Sequence, residues 1–375
     1  MEQQEEKKRK IQRSITTQSS SVSSIPLDVT SKILSKLPAK SVLRSRCVSK
    51  QWLSISTDPY FINMFPKQSS SSLLLFFKTK GKLFVFSVHQ NPNEPQHVDS
   101  YQMKYPKYCC FSYTESVHGL ICFRRAAKPI IWNPTMRKFS TLPKPKSKWK
   151  GITVFLGYDQ IEGKHKVVCM PRGKASDECR VITLGTAKKS WRTIKINHKH
   201  LPISDNVPCI NGVLYYKAKL DQSNVDIIMS FDVRSEKFDM IEMPWVNHYW
   251  GKLIPYAGKL ACVKNTMNNK DITLWVLEDA KWLCKHFTAP SYDQPLKAPC
   301  GINGITDDGE FIYLPYVLNS FYILYYDPEK KSYRKVDFEG VADADFRLSN
   351  RLGNESLYPF HTCVSHTESL FLCNS

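Results

Sequence analysis

A small all-α unit followed by a larger all-β domain is the architecture that this sequence of 375 residues predicts. Residues 25–65 are the only stretch with sustained helical periodicity. After residue 72, short apolar runs alternate with Gly, Pro, Asn and Asp, which is typical of strands and turns. These runs also repeat, at intervals of about fifty residues. The predicted division is a disordered tail over 1–24, a helical unit over 25–65, a linker over 66–72 and a β-rich domain over 73–375.

The predicted tail opens with a mixed-charge run and continues as a Ser/Thr/Gln-rich tract. A chain of such low hydrophobicity cannot bury enough apolar surface to offset the entropy of ordering, so disorder is predicted there. The linker, which has the sequence PKQSSSS, is short and polar and marks the boundary between the two folded parts.

The helical unit begins with an amphipathic helix between two prolines. Pro26 suits its first turn, where a missing N–H costs little. Pro38 ends it, because a proline ring clashes with the preceding turn. The apolar stripe of this helix has four members, Val29, Ile33, Leu34 and Leu37.

Three shorter helices are predicted after it. One spans residues 41–48, the next has Ser49 as its N-cap, and the last begins at Asp58-Pro59 and ends near Phe65. Four helices in about forty residues make a very small core, and a unit of this size is marginal on its own. Its apolar stripe is therefore expected to need a partner.

The order of residue types in this unit is a second kind of evidence. The ordered positions are Pro26, Ile33-Leu34, Leu37-Pro38, Lys40-Ser41-Val42-Leu43, Arg46-Cys47-Val48-Ser49-Lys50 and Trp52. In this register they resemble an F-box of the plant type, with departures at Ile25 and Ser45. Periodicity alone would favour a plain helical bundle whose apolar residues are only core. The ordered match in type and spacing favours the F-box.

The resemblance implies docking on the small Skp-family adaptor of cullin–RING ubiquitin ligases. In that family, the leucine-proline edges of the first two helices and an apolar face through the Cys-Val and Trp positions make the contact. Carried over to this sequence, the adaptor-binding positions are Pro26, Ile33, Leu37, Pro38, Leu43, Cys47, Val48 and Trp52.

The β-rich domain repeats one pattern, in which a turn residue is followed six positions later by an aromatic residue. The copies are Asn133 with Phe139, Gly185 with Trp191, Asp232 with Phe238 and Asp327 with Tyr333, and a shortened copy is Glu278 with Trp282. Upstream of most copies a glycine opens another strand: Gly119, Gly212, Gly258 and Gly309. Asn or Asp at the turn start can hydrogen-bond the backbone, and the aromatic residue is expected to pack between neighbouring sheets.

A period of about fifty residues with about four strands is that of a β-propeller blade, and the length of the domain predicts about six blades. Leu370–Cys373 are expected to supply the strand that closes the ring. The segment GLICF…IIWNPTMRKFSTLP, over residues 119–143, resembles the plant F-box-associated domain. The main alternative is a pair of stacked β-sandwiches built from the same hairpins.

Charge and composition narrow the function classes. The chain has 53 Lys and Arg against 34 Asp and Glu, and a net charge of +19 attracts polyanions. The lysines are scattered through turns, so nucleic acid is not the favoured partner; the basic loops around Lys144–Lys150 and Lys195–Lys199 suggest an acidic target. No apolar run is long enough to span a bilayer, and no signal-peptide core is present. The protein is therefore expected inside the cell, in the nucleus or cytoplasm, with reduced cysteines and no membrane partner.

A search for catalytic and metal-binding patterns finds none to favour. The sequence has no GxSxG, GxxxxGK[ST], HExxH or post-strand GxGxxG motif, and its twelve cysteines form no CxxC pair. His198 and His200 are interpreted as loop histidines, because no partner ligands flank them. No catalytic residue, metal site or cofactor is therefore predicted.

The combined prediction is a non-catalytic substrate receptor of an SCF-type ubiquitin ligase. Its helices would hold the Skp-family adaptor and, through it, the cullin, while loops on one propeller face would hold an unknown target protein. The alternative is a basic β-propeller that binds nucleic acid or another polyanion without a ligase. A third hypothesis is an enzyme whose residues converge in the propeller channel, which no clustered motif supports.

Overall fold

The computed structural model describes residues 25–68, 72–89, 98–106, 110–187, 190–204, 207–221, 225–244, 251–265, 271–288, 300–306, 308–315, 321–353, 357 and 361–371. The chain divides into two compact units, with the division between Phe61 and Ile62. The predicted tail over residues 1–24 lies outside the described residues, as do residues 69–71 of the predicted linker.

Four helices follow one another at the start of the described chain: α1 (Leu27–Ser35), α2 (Ala39–Ser45), α3 (Lys50–Thr57) and α4 (Pro59–Gln68). Pro26 and Pro38 are the N-cap residues of α1 and α2. Because Pro38 both follows the first helix and caps the second, α2 begins at Ala39, two residues before the predicted start. The last helix continues through Gln68 instead of ending near Phe65, so Pro66 lies inside it.

Two predicted helix caps are confirmed. The Ser49 hydroxyl accepts a hydrogen bond from the backbone N–H of Trp52 at 3.1 Å, at the start of α3. The Asp58 carboxylate accepts one from the N–H of Tyr60 at 2.9 Å, at the start of α4. Each cap satisfies a backbone donor that has no partner inside its helix.

The interior of α1–α3 is very small, as predicted. Both α1 and α2 pack against α3. The buried apolar residues of these helices are Leu34, Ala39 and Val42. A polar contact adds to them, because the Arg46 guanidinium donates to the Ser56 hydroxyl at 3.1 Å and to the Ser56 carbonyl at 2.8 Å.

The second unit consists almost entirely of strands. They are β1 (Ser72–Thr79), β2 (Lys82–His89), β3 (Val98–Lys104), β4 (Cys110–Tyr113), β5 (Ile121–Arg125), β6 (Lys128–Asn133), β7 (Lys138–Thr141), β8 (Ile152–Asp159), β9 (Lys164–Pro171), β10 (Ser176–Thr183), β11 (Arg192–Pro202), β12 (Cys209–Ile210), β13 (Val213–Leu220), β14 (Asp226–Asp232), β15 (Phe238–Glu242), β16 (Lys252–Tyr256), β17 (Lys259–Asn265), β18 (Asp271–Glu278), β19 (Lys281–Thr288), β20 (Cys300–Ile305), β21 (Phe311–Pro315), β22 (Phe321–Asp327), β23 (Ser332–Phe338) and β24 (His361–His366). One short helix, α5 (Ala344–Ser349), precedes β24.

The strands form antiparallel sheets of consecutive strands, arranged as in a propeller. Four sheets have four strands each: β24–β1–β2–β3, β4–β5–β6–β7, β16–β17–β18–β19 and β20–β21–β22–β23. The fifth has eight strands, β8–β15, and its two halves join where His200 of β11 pairs with Leu220 of β13. Four separate blades are fewer than the six or so predicted. The merged sheet explains the difference, because each of its halves has the strand order of one blade.

Apolar side chains fill the space between successive four-stranded units. Among the described residues, one cluster joins β1 and β2 to β5 and β6 through Phe76, Phe123 and Trp132. Another joins β1 and β2 to β21 and β22 through Phe77 and Ile312. Four more clusters lie between the remaining neighbouring blades. The blade that contains β1 and the blade β20–β23 are therefore packed together in the same way as the others.

The ring is closed by β24, which pairs antiparallel with β1, Cys363 opposite Leu74. The prediction that Leu370–Cys373 supply this strand is wrong for its described part, since Leu370 and Phe371 follow the strand without forming one. The strand has the sequence HTCVSH, in which only Cys363 and Val364 are apolar, so no apolar run marks it in the sequence. The segment that follows β24 is held by the Asn133 side chain, which donates to the carbonyls of Ser369 and Phe371 at 3.0 and 2.9 Å.

The repeated turns join the last two strands of each blade. The prediction that an Asn or Asp at the start of the turn hydrogen-bonds the backbone is confirmed. Asn133 accepts from the N–H of Met136 at 3.0 Å, and Asp327 from that of Lys330 at 3.0 Å. Two tryptophans of the repeat form hydrogen bonds to the preceding blade. Trp191 donates to the Pro143 carbonyl, and Trp282 donates to the Glu242 carbonyl. Tyr333 is the exception to the predicted core role, because it is 48% exposed.

Candidate functional site

The eight predicted adaptor-binding residues all reach the surface of the helical unit. Five are exposed, Pro26, Ile33, Pro38, Cys47 and Val48, and three are half-buried, Leu37, Leu43 and Trp52. The residues that fill the interior are different ones, as Leu34 and Val42 show with no exposed surface. The core and the predicted contact surface are therefore made by separate sets of side chains.

The predicted apolar stripe of α1 contributes side chains both to the interior of the helical unit and to its surface. Leu34 is fully buried, whereas Ile33 is 46% exposed and Val29 is also exposed. Adjacent residues on a helix point about 100° apart, so a wide apolar stripe can serve a core on one flank and leave the other flank in water. The exposed flank is available to a partner.

Exposed apolar side chains are concentrated in this unit. Of the thirteen exposed large apolar residues among those described, seven lie within residues 25–60. They are Ile25, Leu27, Val29, Ile33, Val48, Leu53 and Tyr60. Since large exposed apolar patches mark interaction sites, this density indicates a partner-binding surface. Sequence reasoning missed Leu27, Leu53 and Tyr60; the small size of the core was the signal that more apolar side chains would lie outside it.

Ser45 departs from the family pattern, and its surroundings explain why a small residue fits. Its side chain is buried, and its hydroxyl donates to the Val42 carbonyl at 2.7 Å. A hydroxyl satisfied in this way within its own helix can be buried at little cost. Ser45 therefore belongs to the interior of the unit and not to its exposed surface.

A cavity of about 270 Å³ lies among the described residues of the second unit. It lies where the first strands of the four-stranded units end: β8, β12, β16, β20 and β24 line it, together with the turn that follows β4. These are the innermost strands, so the cavity is the mouth of the central channel. Gln160, Pro255 and Ser365 are lining residues that are exposed, and they show that the cavity opens to solvent.

The wall of the cavity at β4–β5 is built by a tight turn. His118 and Gly119 both have positive φ, 44° and 78°, as a two-residue hairpin turn of type I′ requires. The turn places the His118 ring against the Tyr158 ring, with 3.7 Å between centroids and 23° between planes. Gly119 also lies so close to the segment after β24 that a Cβ at this position would be 2.5 Å from the Ser369 Cβ. The result is a fixed aromatic platform at the mouth.

Two buried histidines are within hydrogen-bonding distance of residues in and next to this turn. His165 lies 3.0 Å from the Val117 carbonyl, and the His366 Nδ1 lies 2.7 Å from the Ser116 hydroxyl. Burial, with a smaller contribution from the neighbouring His118, lowers the pKa of His165 to about 3. Burial alone lowers the pKa of His366 to about 4. Both rings are therefore neutral at physiological pH and act as hydrogen-bonding supports.

Charged groups of both signs lie at or near the cavity. Glu115 is a lining residue, and no lysine or arginine is one among the described residues. Burial raises the pKa of the nearby Cys363 thiol well above its ordinary value, and the Glu115 carboxylate raises it further. The Lys252 ammonium also lies close by and donates to the Asn303 carbonyl at 2.7 Å.

Three lysines of the two basic loops singled out in the sequence lie close to carboxylates. Lys146 forms an ion pair with Glu178. Lys199 lies 2.6 Å from Asp221, and Lys195 lies 3.5 Å from Asp177. These carboxylates offset part of the charge that suggested an acidic target.

The histidine pair considered as a possible metal site has a structural role. His200 lies on β11 and is buried, so the loop assignment is wrong; its Nδ1 is 2.7 Å from the His198 carbonyl and its Nε2 is 2.7 Å from the Tyr216 hydroxyl. Among the described residues, no group of three or more His, Cys, Asp and Glu side chains is placed to hold a metal ion. No described helix is long and apolar enough to cross a membrane.

Comparison with known proteins identifies both parts of the chain. Residues 22–63 match the F-box domain, and residues 72–367 match the F-box associated beta propeller domain. The putative F-box protein At1g47790 of Arabidopsis thaliana is 51% identical over 388 residues, which cover 99% of each chain. The putative F-box protein At1g50880 of the same plant is 54% identical over 368 residues, covering 97% of this chain and 98% of the relative. This chain therefore belongs to the F-box proteins that carry an F-box associated beta propeller domain.

Proposed function

We propose that this chain is the substrate-recognition subunit of an SCF-type E3 ubiquitin ligase. Residues 25–65 bind a Skp-family adaptor and, through it, a cullin, while residues 73–375 bind a target protein. The observation that carries the proposal is the density of exposed apolar side chains on the unit that matches the F-box domain. A complex of this kind works in the nucleus or the cytoplasm.

The adaptor contact is made by Pro26, Ile33, Leu37, Pro38, Leu43, Cys47, Val48 and Trp52. Val48 and Ile33 are the most informative members, because both are bulky, apolar and well exposed, at 68% and 46%. Burying them against an apolar partner surface contributes about 1.5–3 kcal/mol for each side chain that becomes fully buried. The exposed prolines fix the edges of the helices and so the shape of the surface.

The contribution of the protein to the reaction is proximity. Holding a target beside the ubiquitin-charged enzyme raises the effective concentration of its lysines without any bond chemistry in this chain. No catalytic residue, metal or cofactor is part of the proposal. Lys146, Lys195 and Lys199 of the basic loops are paired with carboxylates, and no specific observation favours the polyanion-binding alternative.

The test is co-purification of the full chain with a plant Skp-family adaptor. The double variant Ile33→Asp with Val48→Asp places two charges in the proposed apolar contact, where each unpaired charge costs several kcal/mol. The matched control is Leu348→Asp with Val225→Asp, two exposed apolar residues of the second unit. Wild type and control are expected to retain the adaptor and the first variant to lose it. Absence of a complex with the folded wild-type chain would exclude the proposal.

A further inference from the structure

A cluster of exposed basic residues lies at the end of the propeller opposite the cavity. It extends over three neighbouring blades, β24–β1–β2–β3, β4–β7 and β8–β11, when each half of the eight-stranded sheet is counted as one blade. We propose that this surface binds an acidic segment of the target protein. The proposal rests on the receptor function proposed above, and it assigns a target-binding surface and the chemical class of its partner.

The strand order decides which loops share an end of the propeller. Consecutive strands of a blade are antiparallel, so the turn after the first strand and the turn after the second strand lie at opposite ends. The first strands end at the cavity. The opposite end of the three blades is therefore formed by the β1–β2, β5–β6 and β9–β10 turns and by the connections from β3 to β4 and from β7 to β8. Apolar clusters join these blades side by side, so their loops are neighbours.

These loops are rich in lysine and contain no Asp or Glu. Their sequences include KTKGK at 78–82, RRAAK at 124–128, KPKSKWK at 144–150 and RGK at 172–174. We call the exposed basic residues of these loops, together with the one at the end of β3, the basic face. Its members are Lys80, Lys82, Lys104, Lys128, Lys144, Lys148, Lys150, Arg172 and Lys174.

The positive charge of the basic face is not offset by ion pairs. No member of the face forms an ion pair among the described residues. Asp177 and Glu178 follow the β9–β10 turn. Lys195 pairs with the first of these carboxylates and Lys146 with the second, and neither lysine belongs to the face. Like charges on neighbouring loops repel one another, and an anionic partner relieves this repulsion.

Carboxylates lie at other loops of the propeller. At the cavity end, the β8–β9 turn contains Asp159 and Glu162. At the end that carries the basic face, the three remaining blades contain Asp226, Asp271 and Asp337. The net charge of +19 is therefore distributed unevenly, and the basic face is confined to one part of one end.

The composition of the basic face favours protein carboxylates over nucleic acid. Single-stranded nucleic acid is commonly bound by exposed aromatic rings on which the bases stack. Among the described residues of these loops, Tyr105 is only 6% exposed and Trp149 is half-buried against an apolar cluster. Arginine, the residue best suited to bidentate phosphate contacts, contributes only Arg172 to the face. Lysine ammonium groups on separate loops suit carboxylates that are spaced along an extended segment.

The experiment is selection of a phage-displayed library of random twelve-residue peptides on the full-length chain. Enriched peptides are expected to be rich in Asp and Glu, and their replacement by Asn and Gln should weaken binding at least tenfold in a fluorescence-polarisation assay. Lys128→Gln with Lys174→Gln, on two blades of the basic face, should weaken the acidic peptide at least fivefold. The matched control, Lys138→Gln with Lys281→Gln, removes the same charge from exposed positions at the cavity end and should bind within twofold of wild type.

A second variant covers the case in which the first disturbs folding. Lys104→Gln with Lys150→Gln changes two other loops of the basic face and should also weaken the acidic peptide at least fivefold. Enriched peptides without acidic residues, or equal binding by the basic-face variants and the control, would overturn the proposal. Tighter binding of a twelve-nucleotide single-stranded DNA than of the acidic peptide would also overturn it, because it would assign the surface to nucleic acid. Adaptor binding by the same variants is expected to be intact, so failure here is distinct from failure of the ligase function.

Discussion

The two units of this protein differ in how completely they bury their apolar side chains. The second unit encloses them between neighbouring sheets, and its largest core residue, Trp132, is fully buried. The helical unit buries only Leu34, Ala39 and Val42 in α1–α3 and leaves seven large apolar side chains exposed. The difference follows from size, since a short chain has too little volume to cover its own apolar residues. The unit that cannot complete its own core is the one that matches a partner-binding domain.

The largest difference is expected from truncation of a core aromatic residue. Trp132→Ala should destabilise the second unit by about 3–5 kcal/mol, because it removes the ring that packs against Phe76 and Phe139 and leaves a cavity. Ile33→Ala, a truncation at an exposed position, should change stability by less than about 0.5 kcal/mol. Thermal melting of the full chain measures both. Similar effects of the two truncations would contradict the contrast between the units.

Acidification should distinguish the units next, because residues 25–68 contain no histidine. In an unfolded chain a histidine takes up its proton near pH 6.5. In the folded chain the pKa of His165 is about 3 and that of His366 about 4. Below about pH 6.5 the unfolded state therefore binds more protons, and stability falls by up to about 1.4 kcal/mol per pH unit for each histidine.

Melting between pH 7 and pH 5 tests this dependence. The second unit of the wild-type chain should lose about 2 kcal/mol for each histidine over this range. His165→Gln and His366→Gln should each reduce this loss by about 2 kcal/mol, whereas the exposed control His286→Gln should leave it unchanged. An unchanged slope in both buried-histidine variants would show that these rings are not kept neutral by the fold.

The smallest effect is expected from loss of a helix cap in the helical unit. Ser49→Ala removes the acceptor of the Trp52 N–H and should destabilise α3 by about 1 kcal/mol, whereas Ser49→Asp retains an acceptor. Hydrogen exchange of the α3 amides should then be about fivefold faster in the alanine variant only. Equal exchange in the two variants would mean that neighbouring packing, and not the cap, fixes the start of this helix.

Local chemistry made part of this structure predictable from the sequence. Ser49, Asp58, Asn133 and Asp327 were placed correctly because a cap or turn depends on residues only a few positions away. The repeat of about four strands likewise predicted the all-β domain before any contact was known.

Features that depend on distant contacts were not predictable in the same way. Periodicity could not separate Ile33 from Leu34, because the choice of buried flank is made by packing against α3. The closing strand β24 was missed because its partner β1 lies almost three hundred residues earlier. The cavity was invisible for the same reason, since Glu115, Tyr158 and Ile305 meet only when the ring closes.

The heat-capacity change of adaptor binding tests most directly whether the helical unit completes its core with a partner. Calorimetric titration of the full chain with a plant Skp-family adaptor at several temperatures should give a clearly negative value, because burial of apolar surface lowers the heat capacity. Ile33→Asp with Val48→Asp should abolish the binding, and Leu348→Asp with Val225→Asp should preserve both the affinity and the negative value. Binding with no heat-capacity change, or with equal affinity in both variants, would contradict a contact made by the exposed apolar side chains of residues 25–60.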